Sequence, residues 1–375
     1  MIKKRNDCLL IQRQKMQDLV ESYEPNSVHI GCLGSHSALE IAYGAKKEGF
    51  KTVVVCQSGR EKTYTKYYAN LFDEVIILSK FQSLASHDPI KRLQLINTIF
   101  IPNRSFSTYL GYQKIEEEFI LPLFGNRQLL RAEERGSPND QYTLLKLAGL
   151  PTPRIFLSPD EIDTLAMVKM PQAIKRHERG FFVVSGPEDF KIKAKRLIDS
   201  GYIRKEDLSM VSIEEFVIGA LANLNYFYAP TTGNVEFMGA DQRVETDIEG
   251  VVQLPARHQA LVTREPSLIP IGHRGITLRE SVLEQVFDLG EKFVEAVRKH
   301  CSPGIIGPFS LQGSFDRDTQ FKTFDVSLRM PGSPILQTTS PYTEYKFGHS
   351  IGLGQRVAIE IRTALGKGMI RECVT

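Results

Sequence analysis

Apolar and polar positions alternate in short blocks along the first third of the chain. Between the first two apolar runs, residues at helical spacing predict an amphipathic helix that ends at Gly49. The apolar runs themselves predict buried strands at residues 28–33, 52–56, 74–78 and 98–102. This alternation of strands and helices predicts a parallel α/β sheet with short connections. Because ligands bind at the carboxyl ends of the strands in such sheets, we expect the loops at 34–37 and 102–107 to contact one.

The pattern changes after Pro151 and Pro153, which prevent a short predicted helix from continuing. A small α+β unit follows, and the last third adds more strands. The predicted strands after this point are 167–170, 181–185, 211–218, 222–228, 235–240, 309–312 and 322–328. The predicted helices are 140–150, 189–200 and the long amphipathic segment 278–300. We therefore expect a mixed α/β and α+β protein of three domains, spanning residues 1–123, 124–230 and 231–375.

Composition limits the class of partner. The 375-residue chain has a net charge of +3 with dispersed lysines and arginines, which disfavours a nucleic-acid surface but allows a local phosphate pocket. Its five cysteines are far apart and form no CxxC pair, which favours a reducing compartment over a disulfide framework or a zinc site. No apolar run approaches the roughly 20 residues that span a bilayer, and the N-terminus lacks the apolar stretch of a secretory signal. We expect a cytoplasmic protein without a nucleic-acid or membrane partner.

Three features of the central segment suit a nucleotide cleft. Lys169 lies in a predicted strand, where a buried cation is costly without an anionic partner. The polar segment 172–180 is rich in basic residues, which suit phosphates. An acidic pair then precedes an apolar strand, as in a hinge whose backbone contacts the edge of an adenine. Taken singly, a surface lysine and a solvated charge run are ordinary alternatives, but together the features favour a nucleotide. The candidate ATP-binding residues are Lys169, Arg179, Glu214, Glu215 and Val217.

The last third carries candidate metal ligands. Gln312 ends one predicted strand and Asp325 lies in the next. Mg²⁺ takes oxygen ligands from one or two side chains together with substrate phosphates, so this pair is chemically adequate. Strand alternation directs Arg329 to the same face as Asp325, which predicts a phosphate-binding guanidinium beside the metal. The alternative is a structural Asp–Arg pair on a half-exposed strand.

The loop after the first strand contains Ser35 and His36, directly before a helix whose free N–H groups favour an anion. Ser105 occupies the corresponding loop after a later strand, with Arg104 beside it. Each is a weak signal by itself, and a histidine without a function near a helix start is the ordinary alternative.

Several motifs, in order from about residue 26 to 370, resemble one family. They are L-G-S-H-S-A-L-E from Leu33, F-G-N-R-Q-L-L-R from Phe124, I-E-E-F-V-I-G from Ile213, I-I-G-P-F-S-L-Q from Ile305, S-P-Y-T-E-Y from Ser340 and G-Q-R-V-A-I-E-I-R from Gly354. The set is similar to the archaeal PurP family, the formate-dependent ligases that make 5-formaminoimidazole-4-carboxamide ribonucleotide (FAICAR).

This resemblance implies an ATP-grasp fold with an N-terminal Rossmann-like domain that contacts the substrate, a central small domain that covers ATP, and a C-terminal domain that carries metal and substrate residues. It implies formylation of the amine of 5-aminoimidazole-4-carboxamide ribonucleotide (AICAR) by formate and ATP through formyl phosphate, in purine biosynthesis. The implied cofactors are ATP and Mg²⁺ or Mn²⁺, and the implied assembly is a homo-oligomer, a trimer or hexamer. The implied residues are Lys169 and Arg329 for catalysis, Ser35, His36, Ser105 and Asp247 for substrate, and Gln312 and Asp325 for metal.

The chain also departs from the family pattern. Asp325 stands where the family usually has Glu, and the segment 172–180 is poorer in glycine than its family counterpart. Further departures, all expected near the substrate, are Asn103, Arg104, Ala132 and Asp247. Two alternatives therefore stay open: a ligase of the same fold that joins another carboxylate to another amine, and a nucleotide-binding protein without turnover.

Overall fold

The computed structural model describes residues 10–134, 136, 139–170, 181–262 and 268–375. The N-terminal sheet is parallel and has the strand order β3-β2-β1-β4. Its strands are β1 (His29–Leu33), β2 (Lys51–Gln57), β3 (Glu74–Leu78) and β4 (Thr98–Phe100). The helices of this region are α1 (Arg13–Glu21), α2 (Ala38–Lys47), α3 (His87–Leu95), α4 (Arg104–Leu110) and α5 (Tyr112–Glu117). β1 is buried along its whole length, as its continuous apolar run predicts.

The small sheet has the order β5-β8-β6-β7 and is antiparallel. Its strands are β5 (Ile155–Phe156), β6 (Ala166–Lys169), β7 (Phe181–Val184) and β8 (Ser212–Glu215). α6 (Gln141–Leu147) precedes it, and α7 (Pro187–Asp199) packs on it. Apolar side chains from α7 and the four strands form a separate core, which makes this sheet a compact unit of its own.

The large sheet has the order β11-β10-β9-β12-β13, and all its pairs are antiparallel. Its strands are β9 (Ala220–Ala229), β10 (Asn234–Glu245), β11 (Pro270–Ile276), β12 (Gly307–Phe315) and β13 (Phe321–Ser327). The helices are α8 (Ile248–Val251), α9 (Ala256–Gln259), α10 (Leu283–His300), α11 (Leu336–Thr339), α12 (Pro341–Phe347) and α13 (Leu353–Gly366). In the described part of the chain, no helix is long and apolar enough to cross a bilayer.

α13 returns to the N-terminal sheet and joins it to the large sheet. A Cβ on Gly44 of α2 would lie 2.1 Å from the backbone N of Gln355, and one on Gly354 would lie 2.3 Å from the carbonyl O of Glu40. The two helices therefore cross at backbone contact, which only glycine permits. One apolar core runs from β1 and α2 through β9 to α13, so the carboxyl end of β1 is held against the large sheet.

Most predicted elements are present, with several differences. The prediction of a loop at 102–107 is wrong, because α4 begins at Arg104. The Asn103 side chain accepts a hydrogen bond from the Phe106 N–H at 3.0 Å and so caps this helix. The strand predicted at 211–218 ends at Glu215. β11 was not predicted at all. The large sheet begins at Ala220, within the segment predicted as 124–230, and the division into three domains stays a prediction.

Candidate active site

Two cavities adjoin at the large sheet. The first, of about 480 Å³, lies between the small sheet and the large sheet. The second, of about 580 Å³, lies between the large sheet and the carboxyl end of β1. Asn223, Arg243 and Gln312 line both. Molecules bound in the two cavities would therefore share a wall of three polar side chains.

Lys169 lies in the first cavity and has an anionic partner inside the protein. Its Nζ is 2.6 Å from Glu214 Oε2, and both side chains are almost fully buried. Tyr142 donates a hydrogen bond to the other oxygen of Glu214, and its hydroxyl lies 3.4 Å from Lys169 Nζ. Glu214 is on β8 and Lys169 on β6, where they are diagonal neighbours on one face. The lysine is thus desolvated yet neutralised, and a phosphate entering the cavity would compete with Glu214 for it.

The acidic segment at the end of β8 forms one side of the first cavity. Glu215 lies 3.3 Å from Lys322 Nζ, while Phe216 and Val217 line the cavity just beyond the strand. The remaining surface is largely apolar, with contributions from Met167, Val183, Leu221, Ile248 and Phe324. A flat apolar ring fits between such side chains. The N–H groups of Glu215 and Phe216 already donate to the carbonyl oxygens of Arg154 and Leu165, both at 2.8 Å. Arg179 and the whole predicted segment 172–180 lie outside the described residues.

Gln312 and Asp325 face one another across β12 and β13 and both line the first cavity. The Gln312 Oε1 accepts a hydrogen bond from Arg243, and its Nε2 donates to Ser327 Oγ at 3.0 Å. Asn223 is the register partner of Gln312 on β9, so a carboxylate and two amide groups meet here. Among the described residues, no cluster of three histidine, cysteine or acidic side chains is placed to hold a metal. The oxygen donors present suit a cation that completes its shell with water and phosphate, as Mg²⁺ does.

The second cavity has a cationic wall made of Arg104, Arg243 and Arg329. One carboxylate, that of Glu133, serves two of them: it lies 3.2 Å from Arg104 Nη1 and 3.3 Å from Arg329 Nε. Ser310, also in this wall, has a buried hydroxyl without a hydrogen-bond partner among the described residues. The excess of positive charge and the unsatisfied hydroxyl favour an anionic, hydrogen-bonding ligand.

His36 lines this second cavity from the loop between β1 and α2. Much of its surface is open to the cavity, but the protein walls displace bulk solvent, and this desolvation lowers the pKa of His36 to about 4, together with the charges of Arg329, His273 and Arg243. The ring packs on Gly332, where a Cβ would lie 1.7 Å from His36 Cε1. The imidazole is therefore neutral at physiological pH and fixed against the backbone.

The other predicted substrate residues are distributed differently. Ser105, in the first turn of α4, donates a hydrogen bond to Ser35 Oγ at 2.8 Å, so these two lie together beside the residues that line the second cavity. Asp247, at the start of α8, lines neither cavity. Asn103 is fully buried and caps α4. Ala132 is buried in the core between α6 and α10.

Several residues that line the two cavities or contact their lining residues were not predicted from the sequence. The set consists of Tyr142, Asn223, Asp241, Arg243, His273 and Ser310. Each belongs to a strand or helix whose neighbours are far away in the sequence. Only the alternation of apolar and polar residues along β9 and β12, A-N-L-N and F-S-L-Q, could have indicated a polar face here.

A parallel N-terminal sheet, a small sheet with a buried lysine, and a large sheet with an amide–carboxylate pair define the ATP-grasp class of ATP-dependent ligases. N5-carboxyaminoimidazole synthetase from Staphylococcus aureus, solved with ADP, shares this fold with a TM-score of 0.52 at 15% identity, over 81% of this chain and 71% of that one. Models of two families of unknown function match the chain, DUF1246 over residues 30–156 and DUF1297 over residues 189–375.

Closer relatives give the family. The IMP biosynthesis protein PurP from Thermococcus kodakaraensis matches with a TM-score of 0.69 and 28% identity, over 92% of this chain and 100% of that one. The 5-formaminoimidazole-4-carboxamide-1-(beta)-D-ribofuranosyl 5'-monophosphate synthetase of Methanopyrus kandleri is 40% identical over 366 residues, which cover 98% of this chain and 100% of the relative. The chain belongs to this PurP synthetase family.

Proposed function

We propose that the protein formylates AICAR with formate and ATP, giving FAICAR, ADP and phosphate. Transfer of the γ-phosphoryl group to formate makes formyl phosphate, and the AICAR amine then attacks the formyl carbon. Formate itself is a poor acylating agent, which is why activation by ATP is needed. The family supports this substrate assignment, since the relatives carry the name of the corresponding synthetase.

The observation that carries the proposal is the pair of adjoining cavities. One is apolar with a buried lysine, and the other is cationic with an unsatisfied hydroxyl. Both volumes fall in the range of small-molecule sites, roughly 300 to 1,000 Å³. ATP in the first and a phosphorylated ribonucleotide in the second would place their reacting ends at the shared wall of Asn223, Arg243 and Gln312.

The residues of the first cavity suit ATP. Lys169 binds a phosphate oxygen once it is released from Glu214, and the segment from Glu215 to Val217 contacts the adenine edge. Arg179 belongs to the same proposal on sequence grounds alone. Arg329 neutralises phosphoryl charge from the adjoining cavity, so positioning and charge stabilisation supply most of the catalysis.

Gln312 and Asp325 suit a Mg²⁺ or Mn²⁺ ion, because their oxygens and that of Asn223 form a hard donor set of low charge. The ion would neutralise charge on the β- and γ-phosphates. Arg243 donates to the Gln312 oxygen in this structure, so a bound metal would share that oxygen with the guanidinium or displace it.

In the second cavity, His36 contacts AICAR as a neutral imidazole, and the Ser35–Ser105 pair supports the loop that carries it. The role of Asp247 as a substrate contact stays a prediction. We also propose the three-domain division predicted from the sequence and a homo-oligomeric assembly, a trimer or hexamer, which the molar mass in solution would test.

The test is product formation by purified protein with Mg²⁺, ATP, ¹³C-formate and AICAR. We expect ¹³C-labelled FAICAR by mass spectrometry and one ADP for each FAICAR, with neither product when formate is omitted and no FAICAR when AICAR is omitted. ADP release with other carboxylic acids, but not with formate and AICAR, would replace the substrate assignment. Binding of ATP without turnover under any condition would indicate a nucleotide sensor.

A further inference from the structure

Asp241 is the centre of a buried polar cluster behind the second cavity. Its side chain has no exposed surface. Oδ1 accepts hydrogen bonds from Asn225 at 2.7 Å and Ser333 at 2.8 Å, and Oδ2 accepts from Asn223 at 2.8 Å and is 2.6 Å from Nδ1 of His273. Four polar groups on three segments therefore fix the position of one carboxylate.

This cluster determines the tautomer of His273. Burial by itself raises the pKa of Asp241, but the hydrogen bond and charge of His273 and the two amide donors outweigh it, so the pKa lies below its ordinary value. An ionised carboxylate only accepts hydrogen bonds, so the Nδ1 of His273 must carry the hydrogen between them. The neutral ring then has its lone pair on Nε2. Since His273 lines the second cavity, Nε2 is the nitrogen available to a molecule bound there.

Formyl transfer needs a proton acceptor near the amine, because the nitrogen must lose a proton as it forms the new bond to carbon. The guanidinium groups of Arg104, Arg243 and Arg329 are donors only. His36 is a weak acceptor, because desolvation and the surrounding cations lower its pKa to about 4. His273 differs from it by having a buried carboxylate partner, Asp241 Oδ2 at 2.6 Å from Nδ1, which fixes the ring as the aspartate of a catalytic triad fixes its histidine.

We infer that His273 is the general base of the formyl-transfer step and that Asp241 is its positioning residue. This inference rests on the proposed function. The amine lone pair attacks the formyl carbon, the C–N bond forms, and the C–O bond to phosphate breaks. Nε2 of His273 takes the proton from the amine nitrogen, and the proton then passes to the departing phosphate, which leaves as hydrogen phosphate.

The two half-reactions can be measured separately. With ATP and formate but no AICAR, added hydroxylamine traps formyl phosphate as formohydroxamate, a reaction that needs no protein base. We expect His273→Gln to form formohydroxamate within about twofold of the wild type while FAICAR formation falls about 10² to 10⁴-fold. His87→Gln is the matched control, because His87 is exposed and lines neither cavity, and it should leave both rates unchanged.

Each result decides a different point. FAICAR formation by His273→Gln within about threefold of the wild type, or a parallel loss of both products, would overturn the assignment. Wild-type protein that forms neither product would instead overturn the proposed function. Asp241→Asn should lower kcat for FAICAR with little change in the KM for AICAR and no loss of formohydroxamate. A structural role would lower the melting temperature and both products together, and if this variant does not fold, His273→Gln alone carries the test.

Discussion

Gly332→Ala tests the placement of His36 by sterics alone. The new Cβ would lie 1.7 Å from Cε1 and 1.9 Å from Nε2 of the ring. Ordinary carbon contacts are about 3.5 to 4 Å, so either the ring or the backbone at residue 332 must move by roughly 2 Å. The ring is the softer of the two, because its surface is open to the second cavity. We therefore expect the substitution to displace His36 from its position near the substrate.

Misplacement of a contact group by about 1 Å costs on the order of 100-fold in rate, which corresponds to roughly 2.7 kcal/mol. We expect kcat/KM for AICAR to fall by about this factor, while the affinity for ATP, measured by calorimetry, stays unchanged because the first cavity is not altered. Gly366→Ala is the matched control, since a Cβ there meets no atom within 4 Å. Full activity toward AICAR in Gly332→Ala would refute the placement of His36, and an equal loss of ATP affinity would refute the separation of the two cavities.

Three further predictions concern charge. Removing one partner of the buried Lys169–Glu214 pair costs about 3 to 5 kcal/mol. Lys169→Met and Glu214→Gln should therefore each lower the melting temperature by roughly 6 to 20 °C. Additive losses in the double variant would argue against an interaction between the two side chains. Asp325→Ala should abolish turnover and Mg²⁺-dependent ATP binding while the melting temperature stays within a few degrees; unchanged turnover would contradict its role at the metal. Burial raises the pKa of Glu40 to about 8, so its contribution to stability is complete below pH 4.5 and is lost as the pH rises through 8. In thermal melts from pH 5 to 9, the melting temperature of Glu40→Gln should therefore rise relative to that of the wild type. A constant difference between the two melting temperatures would contradict this.

The sequence predicted the N-terminal sheet well, because a buried parallel strand appears as a continuous apolar run. The strand predicted at 74–78 has the observed bounds, β1 begins one residue later than predicted, and β2 is one residue longer at each end. The carboxyl end of β1 was therefore located correctly, and with it the loop of Ser35 and His36.

The sequence alone could not identify the counter-ion of Lys169. The prediction that a buried lysine needs an anion was correct, but the anion is Glu214, 45 positions away in the chain. Glu214 had been assigned to the adenine hinge because the sequence places it beside Glu215. Successive residues of a strand point to opposite faces of the sheet. Glu214 therefore lies on the face that carries Lys169, and Glu215 contacts Lys322 of β13.

The Asp241–His273 cluster shows why part of the candidate site could not be predicted. β11 has the sequence P-I-G-H-R-G-I, in which two glycines and a proline remove the alternation that identifies a strand. Its position at the edge of the sheet tolerates this composition, since only β10 has to pair with it. Asp241 was also left out of the predicted strand, which ends at residue 240 because a charged residue indicates the end of an apolar strand.

A carboxylate without exposed surface persists at Asp241 only because four side chains donate hydrogen bonds to it, those of Asn223, Asn225, Ser333 and His273. These donors come from separate segments, so the site becomes recognisable only when the sheet has formed.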